Sequence, residues 1–143
     1  MNSLEINYWL KQHWRLLLVI FVAVLILGEM IYQIVYPSSH LIPGTKIDGV
    51  VIGGLRKDDA ATKLSAAYGE LKLDIYFGKN DAAFQSPKMS DVGISVDNGD
   101  RIAAMDYPFY LRIIPGSIFW AQGLEKPGDI KYNYDSDKIA AYT

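Results

Sequence analysis

The segment "LIPGTKIDGVVIGGLRKDDAATKL", residues 41–64, places a β-branched stretch directly before two glycines and a run of helix-forming residues. Residues 46–54 predict a β-strand, because Val and Ile favour extended backbone, and Gly53-Gly54 closes it. The chain must leave a strand and enter a helix at these glycines. We therefore expect Gly53 or Gly54 to adopt a conformation that is costly for other residues.

The residues after the glycine pair predict an amphipathic helix. Apolar side chains recur at the spacing of one helix face, at Ala60, Leu64, Ala67 and Tyr68. Asp58 and Asp59 fall in the first turn, where carboxylates interact favourably with the helix dipole. Gly69 is expected to end the helix.

Residues 16–36, "LLLVIFVAVLILGEMIYQIVY", form the most apolar stretch and contain a single charge, Glu29. A helix of about 21 residues covers roughly 30 Å, the thickness of the hydrocarbon core of a bilayer, so this stretch predicts a transmembrane helix. No small-residue cleavage site follows it, which favours an uncleaved anchor over a signal peptide. Glu29 is expected to be protonated, to reach the interface or to pair with another helix.

The charges that flank the apolar stretch predict its orientation. Lys11 and Arg15 precede it, whereas the next basic residue after it is Lys46. Because cationic flanks stay on the cytoplasmic side, residues 1–15 are expected in the cytoplasm of a single-pass cell-membrane protein. Residues 37–40 then form a linker to an extracytoplasmic part.

The extracytoplasmic part alternates predicted strands and helices. The elements after the first helix are a half-buried strand (71–77), a turn (78–81), a hairpin partner (82–88), a second strand (91–97) and a helix (98–106). Asp97 or Asn98 is expected to cap that helix. This order predicts an α+β domain over residues 41–125, with a small mixed sheet and helices on one face.

A second apolar stretch, "FYLRIIPGSIFWA", covers residues 109–121. Arg112 and Pro115 interrupt it, and it is too short to span a membrane. A core strand followed by a turn is the favoured interpretation. A surface segment that touches lipid or a neighbouring domain is the alternative.

Residues 126–143 repeat the pattern of a strand, an acid and the start of a helix. So short a helix is marginal by itself. We therefore expect this stretch to begin a second, truncated repeat or module.

The segment 41–64 resembles the opening of the peptidoglycan-binding domain found in VanW-type proteins and ahead of some L,D-transpeptidase catalytic domains. The matching residues are Pro43-Gly44, Gly49, Gly53-Gly54-Leu55, Asp58-Asp59-Ala60, Leu64, Val92-Gly93-Ile94 and Asp97. Residues 132–142 resemble the start of the next repeat, and an N-terminal membrane anchor is usual in the family. Arg56 departs from the pattern, because it stands where the family has a capping Ser or Thr.

The composition excludes several kinds of chemistry. The chain has no cysteine, so it lacks the nucleophile of an L,D-transpeptidase, and His13 and His40 are too scattered to suggest a metal site. Residues 41–143 carry 12 Lys and Arg against 14 Asp and Glu, without a basic run for nucleic acid. The paired acids Asp58-Asp59, Asp97/Asp100 and Asp135/Asp137 all lie at predicted helix starts, which favours capping over acid–base catalysis.

A glycan-peptide ligand needs aromatic faces for sugar rings and cations for peptide carboxylates. We predict Tyr107, Tyr110, Arg112 and Trp120 as ligand-binding residues. Phe109, Tyr132 and Tyr134 supply similar groups, and core packing is the alternative for most of these side chains, Trp120 above all.

The resemblance and the missing nucleophile together imply a membrane-anchored, non-catalytic module. It would bind peptidoglycan or another cell-wall polymer without a cofactor. The alternatives are the N-terminal part of a longer L,D-transpeptidase or VanW-type protein, and an envelope scaffold domain that binds protein.

Overall fold

The computed structural model describes residues 3–76, 78, 82–124 and 126–141. The helices are α1 (Ser3–Val35), α2 (Lys57–Gly69), α3 (Gly99–Ala103), α4 (Phe109–Arg112), α5 (Ser117–Trp120) and α6 (Ser136–Ala140), and a 3-10 turn covers Ala121–Gly123. The strands are β1 (Lys46–Ile47), β2 (Val50–Val51), β3 (Ile94–Asp97) and β4 (Lys131–Tyr134).

The described chain divides into two compact units. The first contains α1 through Tyr36 together with Pro108–Ser117, and the second contains Pro37–Tyr107 and the residues from Ile118 onwards. This division differs from the predicted domain over 41–125, because residues 108–117 leave that domain and pack with α1.

Helix α1 confirms the helix predicted for the apolar residues 16–36, and it begins earlier, at Ser3. Its portion Lys11–Val35 is long and apolar enough to cross a membrane. Most side chains of that portion are exposed in the protein alone. This is the surface that a lipid environment would cover.

The segment 46–54 is a tight hairpin rather than the single strand that the sequence predicted. Lys46 pairs with Val51 and Ile47 with Val50. The turn between them has φ of 49° at Asp48 and 83° at Gly49. Two consecutive positive φ angles match the twist of a two-residue hairpin, for which Asp-Gly is a favoured sequence.

Gly54 adopts the costly conformation that the sequence predicts for one of the two glycines, and Gly53 is constrained for a different reason. Gly54 has φ of 77°. A Cβ on Gly53 would lie 2.4 Å from the Gly44 nitrogen, 2.5 Å from the Thr45 nitrogen and 2.6 Å from the Ile42 oxygen. The chain therefore needs one glycine for its backbone angle and the other for close backbone packing.

Helix α2 confirms the predicted amphipathic helix and supplies one wall of the core. Ala60 and Leu64 are fully buried, and Gly69 is its last residue. The Arg56 side chain makes no capping hydrogen bond to a described residue, as its departure from Ser or Thr predicts. The core cluster comprises Leu41, Ile47, Ile52, Ala60, Leu64, Ile102 and Met105.

The predicted hairpin over 71–88 is present in its described residues as antiparallel backbone pairing through isolated bridges, without regular strands. The Leu73 N–H donates to the Pro87 carbonyl at 2.9 Å, and the Ile75 N–H donates to the Gln85 carbonyl at 2.9 Å. Phe77 and residues 79–81 of the predicted strand and turn lie outside the described residues.

In the described part of the chain the strands form two separate antiparallel pairs, β1-β2 and β3-β4. The α+β class is confirmed, but the predicted single mixed sheet is wrong. Ile94 pairs with Tyr134 and Asp97 with Lys131, so β4 pairs with residues 34 to 40 positions earlier in the chain. The second unit therefore includes β4 and α6, and the predicted boundary at residue 126 does not separate them from it.

The segment 109–121 is helical, so the predicted core strand is wrong. Helices α4 and α5 are single turns on either side of Pro115-Gly116, and Gly116 has φ of 76°. Proline interrupts a continuous helix, and the positive φ at glycine reverses the chain.

Candidate functional site

The four predicted ligand residues are divided between the two units. Tyr110 and Arg112 belong to the first unit, whereas Tyr107 and Trp120 belong to the second. Tyr107 is only 3% exposed and Trp120 is 49% exposed, so the expectation that Trp120 is a core residue is wrong. Arg112 donates through Nη1 to the Tyr36 carbonyl at 2.6 Å. Neither unit therefore contains all four residues.

The second unit contains a groove lined by both polar and apolar atoms, which sequence reasoning missed. Its volume is about 470 Å³, within the roughly 300–1,000 Å³ that is usual for small-molecule sites. We call it the α2–α6 groove, and its lining residues are Ser65, Ala66, Gly69, Glu70, Ser90, Gly93, Ile94, Ser95, Asp135 and Lys138. Helix α2, the turn before β3, β3 itself and the start of α6 all contribute to it.

Gly93 allows the start of α6 to lie against the turn before β3. Its φ is 77°, and a Cβ there would lie 2.7 Å from the Lys138 Cβ and 2.9 Å from the Asp135 Cβ. The Asp135 N–H donates to the Gly93 carbonyl at 2.8 Å. The close backbone contact therefore brings Asp135 and Lys138 to the groove.

The charged groups of the groove are held in different ways. Asp135 Oδ1 accepts the N–H groups of Asp137 at 3.1 Å and Lys138 at 3.2 Å, which caps α6. Glu70 forms an ion pair with Lys88 at 2.6 Å, and this hydrogen bond raises the pKa of Lys88. Within the described ranges no ion pair engages the Lys138 ammonium, which leaves it able to bind a ligand carboxylate.

Strand β4, which pairs with the groove strand β3, carries two exposed tyrosines. Tyr134 is 66% exposed and Tyr132 is 48% exposed. Tyr134 pairs directly with the groove residue Ile94, and Tyr132 pairs with Val96. Direct cross-strand partners share a sheet face, so both tyrosines lie on the face of Ile94. Alternation along "KYNY" is the sequence signal for this pair.

A buried arginine links the β1-β2 hairpin, α2 and α3. Arg101 is 6% exposed, and its guanidinium donates to Asp48 Oδ2 at 3.2 Å and to the Tyr68 hydroxyl at 2.9 Å. The Tyr68 hydroxyl also donates to Asp48. This hydrogen bond, followed by the contact with Arg101, lowers the pKa of Asp48. The cluster fixes α2, one wall of the groove, against the rest of the core.

The paired acids lie at helix starts, as the sequence predicted. Asp58 and Asp59 occupy the first turn of α2. Asp97 Oδ1 accepts the Gly99 N–H at 2.9 Å ahead of α3, and Asp135 is the N-cap of α6. Among the residues that the structure describes, no group of three His, Cys, Asp or Glu side chains is placed to hold a metal ion.

No family model, curated protein or solved structure matches the chain.

Proposed function

We propose that the protein is a membrane-anchored module that binds cell-wall polymer outside the cytoplasm, without turning it over. The observation that carries the proposal is the α2–α6 groove, with the exposed Tyr132 and Tyr134 on the strand paired with β3, on a chain whose α1 is suited to a membrane. The resemblance of residues 41–64 to the wall-binding family supports the choice of peptidoglycan as ligand.

The chemistry of the groove suits a glycan that carries peptides. Ser90 and Ser95 supply hydroxyls, which both donate and accept hydrogen bonds and so match sugar hydroxyls and N-acetyl groups. The Ser65 hydroxyl is already engaged, because it donates to the Val96 carbonyl at 3.1 Å and accepts from the Asn98 side chain at 3.1 Å. The Lys138 ammonium suits a peptide carboxylate. Tyr132 and Tyr134 offer ring faces to the apolar side of a sugar.

The proposed location follows from α1 and its flanks. With Lys11 and Arg15 in the cytoplasm, α1 crosses the membrane once and the second unit is extracytoplasmic. Because the chain has no cysteine, the orientation can be tested with single introduced cysteines. In intact cells, a membrane-impermeant maleimide should label Val51→Cys and leave Gln12→Cys unlabelled until the cells are opened. Labelling of Gln12→Cys in intact cells would reverse the orientation.

Wall binding is tested by co-sedimentation of the full chain, in detergent micelles, with purified peptidoglycan sacculi. The wild type should sediment, and Tyr132→Ala/Tyr134→Ala should remain in the supernatant. Tyr76→Ala is the matched control, because Tyr76 is also an exposed tyrosine but lies outside both the groove and the β3-β4 pair that carries Tyr132 and Tyr134. It should sediment like the wild type.

The role of the cation is tested in the same assay. Lys138→Gln should weaken binding to sacculi that carry intact peptides and have little effect on sacculi stripped of peptides. Lys72→Gln, at an exposed lysine outside the groove, is its control. Soluble fragments or new cross-links should not appear in any reaction. A folded wild type that fails to sediment with any wall preparation would contradict the proposal and favour a protein-binding scaffold.

A further inference from the structure

In the first unit, Gly116 and Ser117 form hydrogen bonds with the C-terminal part of α1. The Gly116 N–H donates to Glu29 Oε2 at 3.1 Å. Gln33 donates through Nε2 to the other oxygen of Glu29, and the Ser117 hydroxyl donates to Gln33 Oε1. Gln33 and Ser117 are fully buried. Two polar side chains of an otherwise apolar stretch are thus bonded to residues far along the chain.

These bonds fix how deep the return lies along α1. Glu29 precedes Tyr36 by seven residues, which is about 10 Å at 1.5 Å per residue. Arg112 donates to the Tyr36 carbonyl at 2.6 Å, at the end of the helix. The segment Pro108–Ser117, which we call the return segment, therefore runs from the end of α1 to a point about two turns deeper.

The outward side of the return segment is apolar. Phe109 and Tyr110 are each 66% exposed, and Ile113 and Ile114 are also exposed. Leu111 is buried, and the Arg112 guanidinium is turned to the end of α1. The exposed side chains of the last turns of α1, such as Ile31 and Val35, belong to the same unit and are also apolar.

We propose that the return segment is embedded in the membrane leaflet at the C-terminal end of α1, with Phe109, Tyr110, Ile113 and Ile114 against lipid. The inference rests on the proposed crossing of the membrane by α1. The bonds of Gly116 and Ser117 to α1 hold the segment below the level of Tyr36, where water is scarce. Lipid acyl chains are the occupant that suits this face, because the face continues the apolar surface of α1.

The same arrangement explains Glu29 and Gln33. A polar group in hydrocarbon is costly unless it is hydrogen-bonded. The return segment donates the Gly116 N–H to Glu29 and the Ser117 hydroxyl to Gln33. The same two hydrogen bonds satisfy these donors of the segment. Glu29 is therefore a positioning residue, which sets the depth of the segment.

The experiment measures depth with single spin labels on the full chain in phospholipid nanodiscs. Labels replace Ile113 or Ile114, with Val19 in the middle of α1 as the lipid reference and Val51 in the second unit as the water reference. Collision with oxygen reports lipid, and collision with a water-soluble nickel complex reports water. The labels at Ile113 and Ile114 should resemble Val19, with strong oxygen and weak nickel collisions.

A variant pair then tests the positioning role. Glu29→Leu removes the acceptor for the Gly116 N–H and should shift the label at Ile113 towards water, while Val19 stays unchanged. Glu29→Gln retains a side-chain oxygen acceptor and should keep the label close to its wild-type depth.

Three outcomes would overturn the embedding of the return segment, and a fourth would remove the positioning role of Glu29 alone. Nickel collisions at Ile113 and Ile114 that equal those at Val51, with Val19 still shielded, would refute the embedded segment and leave the anchor intact. Water access at Val19 as well would refute the anchor and the segment together. Labels shielded from both reagents and broadened by spin–spin coupling would mean that a second copy covers the face. An unchanged label in Glu29→Leu would remove the positioning role.

Discussion

Gly53→Ala and Gly54→Ala should each lower the free energy of unfolding, but for different physical reasons. In Gly54→Ala the new Cβ meets no described atom within 4 Å, so the cost comes from φ of 77° alone. Holding alanine in the left-handed region costs about 1–2 kcal/mol. Part of this cost is offset, because alanine lowers the conformational entropy of the unfolded chain. We expect a net loss of about 1 kcal/mol in the free energy of unfolding.

Gly53→Ala should be more severe, because its Cβ would meet three backbone atoms at 2.4–2.6 Å. The backbones must separate by about 1 Å to reach van der Waals distance. That movement weakens two hydrogen bonds, which the Ile52 and Gly53 N–H groups donate to the Thr45 carbonyl at 3.0 Å each. Overpacking and weakened hydrogen bonds together should cost about 3 kcal/mol.

The assay is guanidinium unfolding of the full chain in mild detergent, followed by Trp120 emission in a Trp9→Phe/Trp14→Phe background. A difference of about 2 kcal/mol between the two variants corresponds to a midpoint difference of about 0.7 M. Asparagine is the matched substitution, because it tolerates the left-handed region. Gly54→Asn should be milder than Gly54→Ala, whereas Gly53→Asn should remain severe. Equal midpoints for Gly53→Ala and Gly54→Ala would refute the reasoning.

Three further predictions concern the second unit and use the same unfolding assay. Arg101→Ala should lower the free energy of unfolding by about 2–3 kcal/mol, because it removes the buried partner of Asp48 and Tyr68. A loss below about 1 kcal/mol would contradict this expectation. Because the pKa of Asp48 is lowered in the folded protein, its contribution is present above the ordinary carboxyl pKa of about 4 and lost as pH falls through the lower folded value. Asp48→Asn should therefore lower stability at about pH 6 more than at about pH 2.5, and an equal effect at both would be inconsistent with the linkage. Asp135→Ala should cost about 1 kcal/mol as a lost N-cap, with Asp135→Asn close to the wild type; equal losses in both would exclude capping as the cause.

Local patterns in the sequence were sufficient for much of the fold. The helical face through Leu64, the alternation in residues 71–77 and the capping acid Asp135 each act within a few residues of chain. Helices α2 and α6 are present near the expected bounds, and residues 71–77 form isolated antiparallel bridges within the described residues rather than a regular strand. The hairpin at Asp48-Gly49 was missed although Asp-Gly is a turn signal, because the β-branched residues on both sides suggested one strand.

The other errors have a different physical origin. A short apolar run such as 109–121 fits a strand or a helix equally well, and only its contacts decide between them. The pairing of β3 with β4 joins residues more than 30 positions apart, so no local pattern contains it. The α2–α6 groove depends on that pairing and on the close contact at Gly93. The sequence therefore suggested Tyr107, which is buried, as a ligand residue ahead of Tyr132 and Tyr134.

The most direct test of wall binding is photo-crosslinking from the groove in living cells. A photoreactive amino acid is placed at Ser95 in the full chain, and at Tyr76 as the exposed control outside the groove. After irradiation, a muramidase digests the wall, and mass spectrometry identifies what remains attached to each position. We predict muropeptide adducts at Ser95 and none at Tyr76. Protein adducts without muropeptides at Ser95 would contradict wall binding through the α2–α6 groove.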